Sequence, residues 1–407
     1  MLTGQMVALL CALLWLSVVT RGTALFILSL TLLVAALLSR LWERYCLERV
    51  EYRRRFSQTR ARFGEEIELE VEVVNRKILP LSWLEVGDEI PEALPPTRGR
   101  RASCHKPERS FLVNLFALRP YERVRRRYIL PCVARGEHHF GPARIRSGDL
   151  FGFVTCERDL ESVDCLVVYP RVVPLAQLGL PASNPLGDIR ARSWLFEDVS
   201  RIAGARDYRP GDGLRRIHWP ASARAQQLQT KMYEATTSHK LAVFLNLETR
   251  GGWYAPGYDP EVLEFSITVA ASLAQWGLEQ GYQVGVSANG LPRGAPGGVG
   301  VEPGRGPEQL EHILLALARL QPVVAQRFDV LLAREACGLP FGTTVVLVTP
   351  DLSEPTVGAA AALRRSGHSV VAILTGRYGI SRPPEGITVR RVGPPESWRE
   401  MQILAPA

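Results

Sequence analysis

The sequence predicts a multidomain chain, α/β plus all-β, with an N-terminal transmembrane helical hairpin, a β-sandwich-like domain and a C-terminal doubly wound parallel sheet. Three observations carry that prediction. From Met1 to Ser39 the one charged side chain is Arg21; residues 66–73 alternate acidic and apolar side chains; and from about residue 238 apolar runs alternate with amphipathic helical patterns. At 407 residues and 46% apolar content, the chain exceeds one compact domain and can bury more than one core.

The hairpin comes first. Two apolar runs, Met6 to Val19 and Thr23 to Leu38, flank the turn Thr20-Arg21-Gly22. A bilayer core takes about 20 helical residues, with about 17 as the lower limit. Within residues 1–40, spans of about 3–20 and 23–39 just reach that length, with Arg21 snorkelling to the far interface. A cleaved signal peptide would show a basic n-region and a small-residue cleavage site; there is no basic n-region and no obvious cleavage site, so the hairpin is expected, with a single span or a signal sequence as the alternative. Residues 40–62 hold eight arginines against three glutamates, and positive charge beside a span stays inside. The expectation is therefore a two-span protein of the inner (cytoplasmic) membrane. A basic juxtamembrane segment over 41–62 would rest its arginines on anionic headgroups, and the soluble domains would be cytoplasmic.

In "FGEEIELEVEVVN", Ile67, Leu69, Val71 and Val73 alternate with Glu66, Glu68, Glu70 and Glu72. That period of two marks a half-buried antiparallel strand. Strand-like runs follow at 110–118, 126–133 and 165–170, broken by turn signals such as Arg135-Gly136-Glu137. No amphipathic helix interrupts them, so an all-β unit is expected over 63–172. The rhythm then changes. "KLAVFLNL" (240–247) is continuously apolar, as a buried parallel strand should be. A helix is expected from Asp259, with Pro260 as its first helical residue, to Gly281; Val262, Phe265, Val269, Leu273 and Trp276 form its apolar stripe. Strands at 282–288, 343–349 and 368–375 and helices near 308–320 and 356–366 complete an alternating α/β domain over 238–407.

Composition narrows the function classes. The net charge of +8 is almost all arginine, since Lys77, Lys106, Lys231 and Lys240 are the only lysines. No nucleic-acid-binding motif accompanies that charge, and no nucleic-acid partner is expected. Seven cysteines, Cys11, Cys46, Cys104, Cys132, Cys156, Cys165 and Cys337, are scattered without a C-x-x-C pair. Neither a zinc site nor a disulfide framework is indicated, and reduced structural thiols are expected.

Between the two soluble units, over 173–237, lies the densest stretch of the chain, "RDYRPGDGLRRIHWPASARAQQLQTKMYE". Pro210-Gly211 fits a type II turn, and Asp212 is placed to cap a short helix from Gly213 and to pair with Arg215 and Arg216. Ile217 and Trp219 supply apolar anchors, and Pro220 ends or kinks the segment. The stretch reads first as a charged clasp docking the β unit onto the sheet domain. Alternatively, Arg206, Arg209, Arg216 and Arg224 bind an anionic ligand or a partner's acidic segment.

This stretch resembles the signature of the bacterial family catalogued as domain of unknown function 58. The matching positions are Arg206, Tyr208, Gly211, Asp212, Arg216, Ile217, His218, Trp219, Ser222, Ala223 and Arg224, with Pro220 where the family often has a basic residue. The resemblance implies a C-terminal von Willebrand factor A-like domain. It also implies a partnership with a MoxR-type AAA+ ATPase in assembly, maturation or stress response at the membrane. Arg206, Tyr208, Arg209, Gly211, Asp212, Arg216, His218, Trp219, Ser222 and Arg224 are then the candidates for partner or anion binding.

A von Willebrand A domain commonly holds Mg²⁺ through an Asp-x-Ser-x-Ser motif after its first strand, because a hard cation wants oxygen ligands. Here that strand ends Asn246-Leu247-Glu248-Thr249-Arg250, with Asn246 for the Asp, Glu248 for the first Ser and Arg250 for the second. Asp351, in "VTPDLSE", matches a later acidic ligand. The site is degenerate, so no cofactor is expected; Glu248 with Asp351 remains the alternative, for a Mg²⁺-dependent enzyme or adhesion module. His138 and His139 are consecutive in a strand-like segment, point to opposite faces and read as structural. No G-x-S-x-G or G-x-x-x-x-G-K-[ST] motif occurs, and the spacing of Asp212, His218 and Ser222 does not favour a triad. The expected role is non-enzymatic: a membrane-anchored cytoplasmic scaffold or adaptor.

Overall fold

The computed structural model describes residues 4–20, 22–149, 154–181, 185–186, 197–208, 217–235, 240–249, 259–293, 298–376, 386–393, 399 and 401–403. Two compact units divide the chain, Met1–Tyr169 and Pro170–Ala407.

The first unit opens with helix α1 (Gly4–Val19) packed along helix α2 (Thr23–Tyr45). Among the described residues, α2 is the one helix long and apolar enough to cross a membrane. Helix α1 is shorter, at 16 described residues. Large apolar side chains such as Leu25, Ile27, Leu28, Leu32 and Leu37 are exposed on α2, and its buried positions are the small Ser29, Ala36 and Ser39. The helix runs past Ser39 without a break. Its end is then clamped: Lys77 Nζ donates to the carbonyl of Tyr45 at 2.7 Å and to that of Cys46. A cation on the last carbonyls satisfies groups that no further helical turn can reach. Burial lowers the Lys77 ammonium to about 8 and pushes the adjacent Cys46 thiol up to about 12. Ser39 Oγ also donates to Asp149 Oδ2 at 2.5 Å, and Trp42 packs on the β core.

The β-rich part carries β1 (Val50–Phe56), β2 (Arg60–Ala61), β3 (Glu66–Asn75), β4 (Leu81–Pro91), β5 (Arg100–Ser103), β6 (Arg109–Leu118), β7 (Arg123–Pro131), β8 (Gly136–Phe140), β9 (Ala143–Gly148), β10 (Thr155–Leu160) and β11 (Asp164–Val168). They form three sheets, β1-β3-β7, β10-β9-β4-β6-β5 and β2-β11-β8, around one apolar core. Alternation in β3 holds: Ile67, Leu69, Val71 and Val73 are buried. The glutamates between them make a cross-strand ladder with β7, with Arg123 to Glu72 at 3.0 Å and Arg127 to Glu68 at 3.1 Å.

The strands begin earlier than the expected boundary at 63, because residues 50–61 pair with β3 and β11 instead of lying along a membrane. Arg54, expected on headgroups, has no exposed side-chain surface. It pairs with Asp88 at 3.1 Å and Asp164 at 3.2 Å, and donates to the carbonyl of Ser162. Tyr52 donates its hydroxyl to Asp88 at 2.6 Å. Burial raises the Asp88 carboxyl to about 6 despite Arg54, and burial together with Asp88 raises the Tyr52 phenol.

The second unit holds β12 (Glu197–Asp207), α3 (Trp219–Ala225), β13 (Gln229–Ala235), β14 (Lys240–Leu245), α4 (Pro260–Glu279), β15 (Gln283–Ala288), β16 (Gly290–Pro292), β17 (Val299–Gly304), α5 (Pro307–Ala318), β18 (Leu320–Val324), α6 (Phe328–Ala336), β19 (Thr344–Thr349), α7 (Glu354–Arg365), β20 (Ser369–Leu374) and β21 (Thr388–Arg391). Its main sheet runs β17-β15-β14-β19-β20-β21, parallel except for β17. β12 pairs with β13, and β16 with β18, as separate two-stranded sheets.

Asp259 caps α4 by accepting from the Glu261 N–H at 3.0 Å, and Pro260 opens the helix as expected. The helix is buried beyond a single stripe. Gly277 lets it close on the sheet, where an added Cβ would lie 2.7 Å from Leu241 and 2.8 Å from Val284. Residues 173–180, expected within the connector, are packed into this unit, and residues 170–172, expected at the end of the β domain, belong to it as well: Val173 N–H donates to Ser272 Oγ at 3.0 Å and Leu178 is buried.

Removing one partner of a buried ion pair strands the other charge, at a cost of about 3–5 kcal/mol. Asp88→Ala is accordingly expected to lower the unfolding free energy of the first unit by that amount, read as a drop in its denaturant midpoint. A shift within experimental scatter of the parent would contradict the role given to Arg54.

Candidate functional site

In a doubly wound sheet, ligands bind outside the carboxyl ends of the strands where the winding reverses. That point lies between β14 and β19, since the chain leaves β14 to pair β15 on one side and later returns as β19 on the other. Asn246, directly after β14, and Thr349, the last residue of β19, meet there. Asn246 Nδ2 donates to Thr349 Oγ1 at 3.1 Å, and Asn246 Oδ1 accepts from the Glu248 N–H at 3.0 Å and from Asn289 Nδ2 at 2.9 Å. Asn289 Oδ1 accepts from the Leu247 N–H at 2.8 Å, and Thr349 donates to the Asp351 carbonyl at 2.6 Å. All three side chains are buried. The crevice is closed by a neutral hydrogen-bonded knot that satisfies its own polar groups.

Carboxylates rim this knot. Partial desolvation, then the nearby Asp329 and Asp351, raise the Glu248 carboxyl, while Arg327 opposes the rise. Desolvation raises Asp351. Arg327 itself is committed to Asp329 through two bonds of 3.0 and 3.1 Å. The donor set does not fit the Mg²⁺ that the sequence alternative required. Both functions of the Asn246 amide are already used, Thr349 Oγ1 is occupied, and among the described residues no third His, Cys, Asp or Glu ligand atom joins Glu248 and Asp351 in one cluster. Arg250 lies outside the described residues.

The signature stretch is described in part. Arg209, Gly211, Asp212, Arg216 and the proposed cap of a helix from Gly213 lie outside the described residues. Around them, β12 and β13 form an antiparallel ribbon, with Arg206 opposite Thr230 and the Tyr208 N–H donating to the Leu228 carbonyl at 2.9 Å. His218 caps α3 through Nδ1, which accepts from the Ala221 N–H at 3.1 Å. Ser222 Oγ donates to the His218 carbonyl at 3.0 Å and accepts from the Gln229 N–H at 2.8 Å. Ser222 is thus bound to the backbone of His218 and not to its ring, as a nucleophile would need.

Two expectations are corrected here. Pro220 does not end the segment; it lies in the first turn of α3, where proline's missing N–H costs nothing. Trp219 is not an anchor: Ile217 is 4% exposed, but Trp219 at the head of the helix is 66% exposed. Arg224 is exposed in the last turn of the same helix.

Residues 204–379 match the family model described as "Protein of unknown function DUF58". The chain is 24% identical over 254 residues to the "Uncharacterized protein YeaD" of Bacillus subtilis (strain 168), covering 60% of this chain and 57% of that protein. It therefore spans a little over half the length of that curated relative. Similar solved structures include the CARDB domain of the PF1109 protein of Pyrococcus furiosus, at TM-score 0.20 and 13% identity, covering 29% of this chain and 89% of that one. A cohesin module from a Clostridium perfringens ATCC13124 family 33 glycoside hydrolase matches at TM-score 0.21 and 12% identity, covering 29% and 94%. TM-scores this low assign no fold.

Both rim carboxyls titrate higher in the folded chain than in the unfolded one. The folded state keeps protons the unfolded state has released, so local stability falls as pH rises from the ordinary carboxylate range through the raised values. Glu248→Gln removes its share of that loss. Amide exchange in β14 should be slower in the variant than in the parent at neutral pH, and equal below the ordinary carboxylate range. Calorimetry of the detergent-solubilised chain with Mg²⁺ should give no saturable heat; saturable binding lost in Glu248→Gln would restore the cation reading.

Proposed function

We propose that this chain, whose residues 204–379 match the DUF58 family model, is a membrane-anchored scaffold or adaptor that binds other proteins. It works with a MoxR-type AAA+ ATPase in assembly, maturation or stress response. The observation that carries this reading is Trp219, 66% exposed on a capped helix inside the family signature. Tryptophan and arginine are the residue types that most often dominate protein–protein binding energy. Here Trp219 and Arg224 stand at the two ends of one short helix that is capped by His218 and tied to β13 through Ser222 and Gln229.

In this reading the second unit is a von Willebrand A-like domain that acts without metal, its crevice closed by Asn246, Asn289 and Thr349. Its parallel sheet and the switch point beside β14 support that reading. The apolar surface of α2 supports the anchor. The two helices form a hairpin with both ends, and the rest of the chain, on the cytoplasmic side, a placement supported by the arginines that follow Ser39.

The test is capture from detergent extract with the intact chain, followed by the same capture with Trp219→Ala. The parent should recover an AAA+ ATPase. The variant should lose most of it while its unfolding changes by no more than about 0.5 kcal/mol, as befits an exposed position. Repeated recovery of no ATPase by the parent, or equal recovery by both, would count against the reading.

A further inference from the structure

The geometry points to a second site, in the β-rich unit: we propose that Glu137, His139 and Cys165 bind one zinc-class divalent cation. β8 and β11 pair antiparallel, with His139 directly opposite Cys165. Glu137 precedes His139 by two residues, so it projects from the same face. The other face of this strand pair belongs to the core, where Phe140 and Leu166 are buried. Backbone pairing therefore holds a carboxylate oxygen, an imidazole nitrogen and a sulfur side by side, all within 4.8 Å of one another. Cys165 Sγ already lies 3.5 Å from Glu137 Oε1.

Zinc takes sulfur at about 2.3 Å and nitrogen or oxygen at about 2.0–2.2 Å in a tetrahedron. Ligand atoms in such a site stand roughly 3.3–3.8 Å apart, so closing the ring takes adjustments of no more than about 1.5 Å between any two of them. One soft thiolate and one imidazole select Zn²⁺ or Co²⁺ over Mg²⁺ or Ca²⁺, which want oxygen alone.

All three side chains are half-buried. The site is thus open enough for metal to enter, and its fourth position is open to water or to an outside ligand. On binding, the Cys165 sulfur exchanges its proton for the metal and the proton passes to solvent. His138 takes no part. It turns to the other face, where its Nε2 lies 3.0 Å from the Ala134 carbonyl.

The experiment is a Co²⁺ titration of the full-length, detergent-solubilised chain, freed of metal under reducing conditions. One equivalent should bind with a thiolate-to-cobalt absorption band, which Zn²⁺ abolishes and Mg²⁺ leaves unchanged. The band should disappear in Cys165→Ser and in His139→Ala, and persist in His138→Ala and Cys337→Ser. Glu137→Gln should weaken Co²⁺ binding tenfold or more (about 10–100-fold is the cost of disturbing even an outer-shell partner). Circular dichroism matched to the parent shows that each variant is folded. The proposal is overturned if the parent shows no saturable band, or if the band survives Cys165→Ser or His139→Ala.

Discussion

A single guanidinium fixes how the β-rich unit is put together. Arg54 arises in β1, reaches Asp88 in β4 and Asp164 at the head of β11, and so touches all three sheets of that unit. Its planar fork of donors dictates where those acceptors must stand. Apolar packing alone would allow the sheets to slide over one another. A charge kept entirely from water does not, because each lost bond would leave an ion stranded in a poor solvent. The raised carboxyl of Asp88 and the raised phenol of Tyr52 record the cost of that arrangement.

Much of the fold was legible because periodicity reports burial directly. The alternation of β3, the continuous apolar runs of β14, β19 and β20, and the Asp259-Pro260 opening of α4 all lie where the sequence places them. What the charge pattern did not reveal was the fate of Arg54. Arg53, Arg54 and Arg55 look alike in a basic run, yet Arg54 alone of the three turns into the core, because its place in β1 is opposite the buried Val71. A local rule about charge beside a span cannot see a partner carboxylate that is 34 residues away.

The candidate sites divide along the same line. Asn246, Glu248 and Asp351 are reached through the resemblance to a von Willebrand A domain, and β14 and β19 do bring Asn246 and Thr349 together. That Asn289 would complete and neutralise the crevice follows only from the pairing of β14 with β15. Likewise the neighbourhood of His139 is written in β8 but finished by Cys165 in β11, a cross-strand relation with no sequence motif. In the signature, the residue types pointed to a capped, charged segment. The exposure of Trp219 comes from where α3 starts, one residue after the His218 cap.

The clamp at the end of α2 has a mechanical consequence. With its last carbonyls held by Lys77, Trp42 set into the β core and Ser39 bonded to Asp149, the helix enters the folded unit without a slack linker. It is a shaft and not a tether. A tilt or rotation of α2 is therefore passed to the β-rich unit through these three contacts. Conversely, a rotation of that unit reaches the apolar helix by the same contacts.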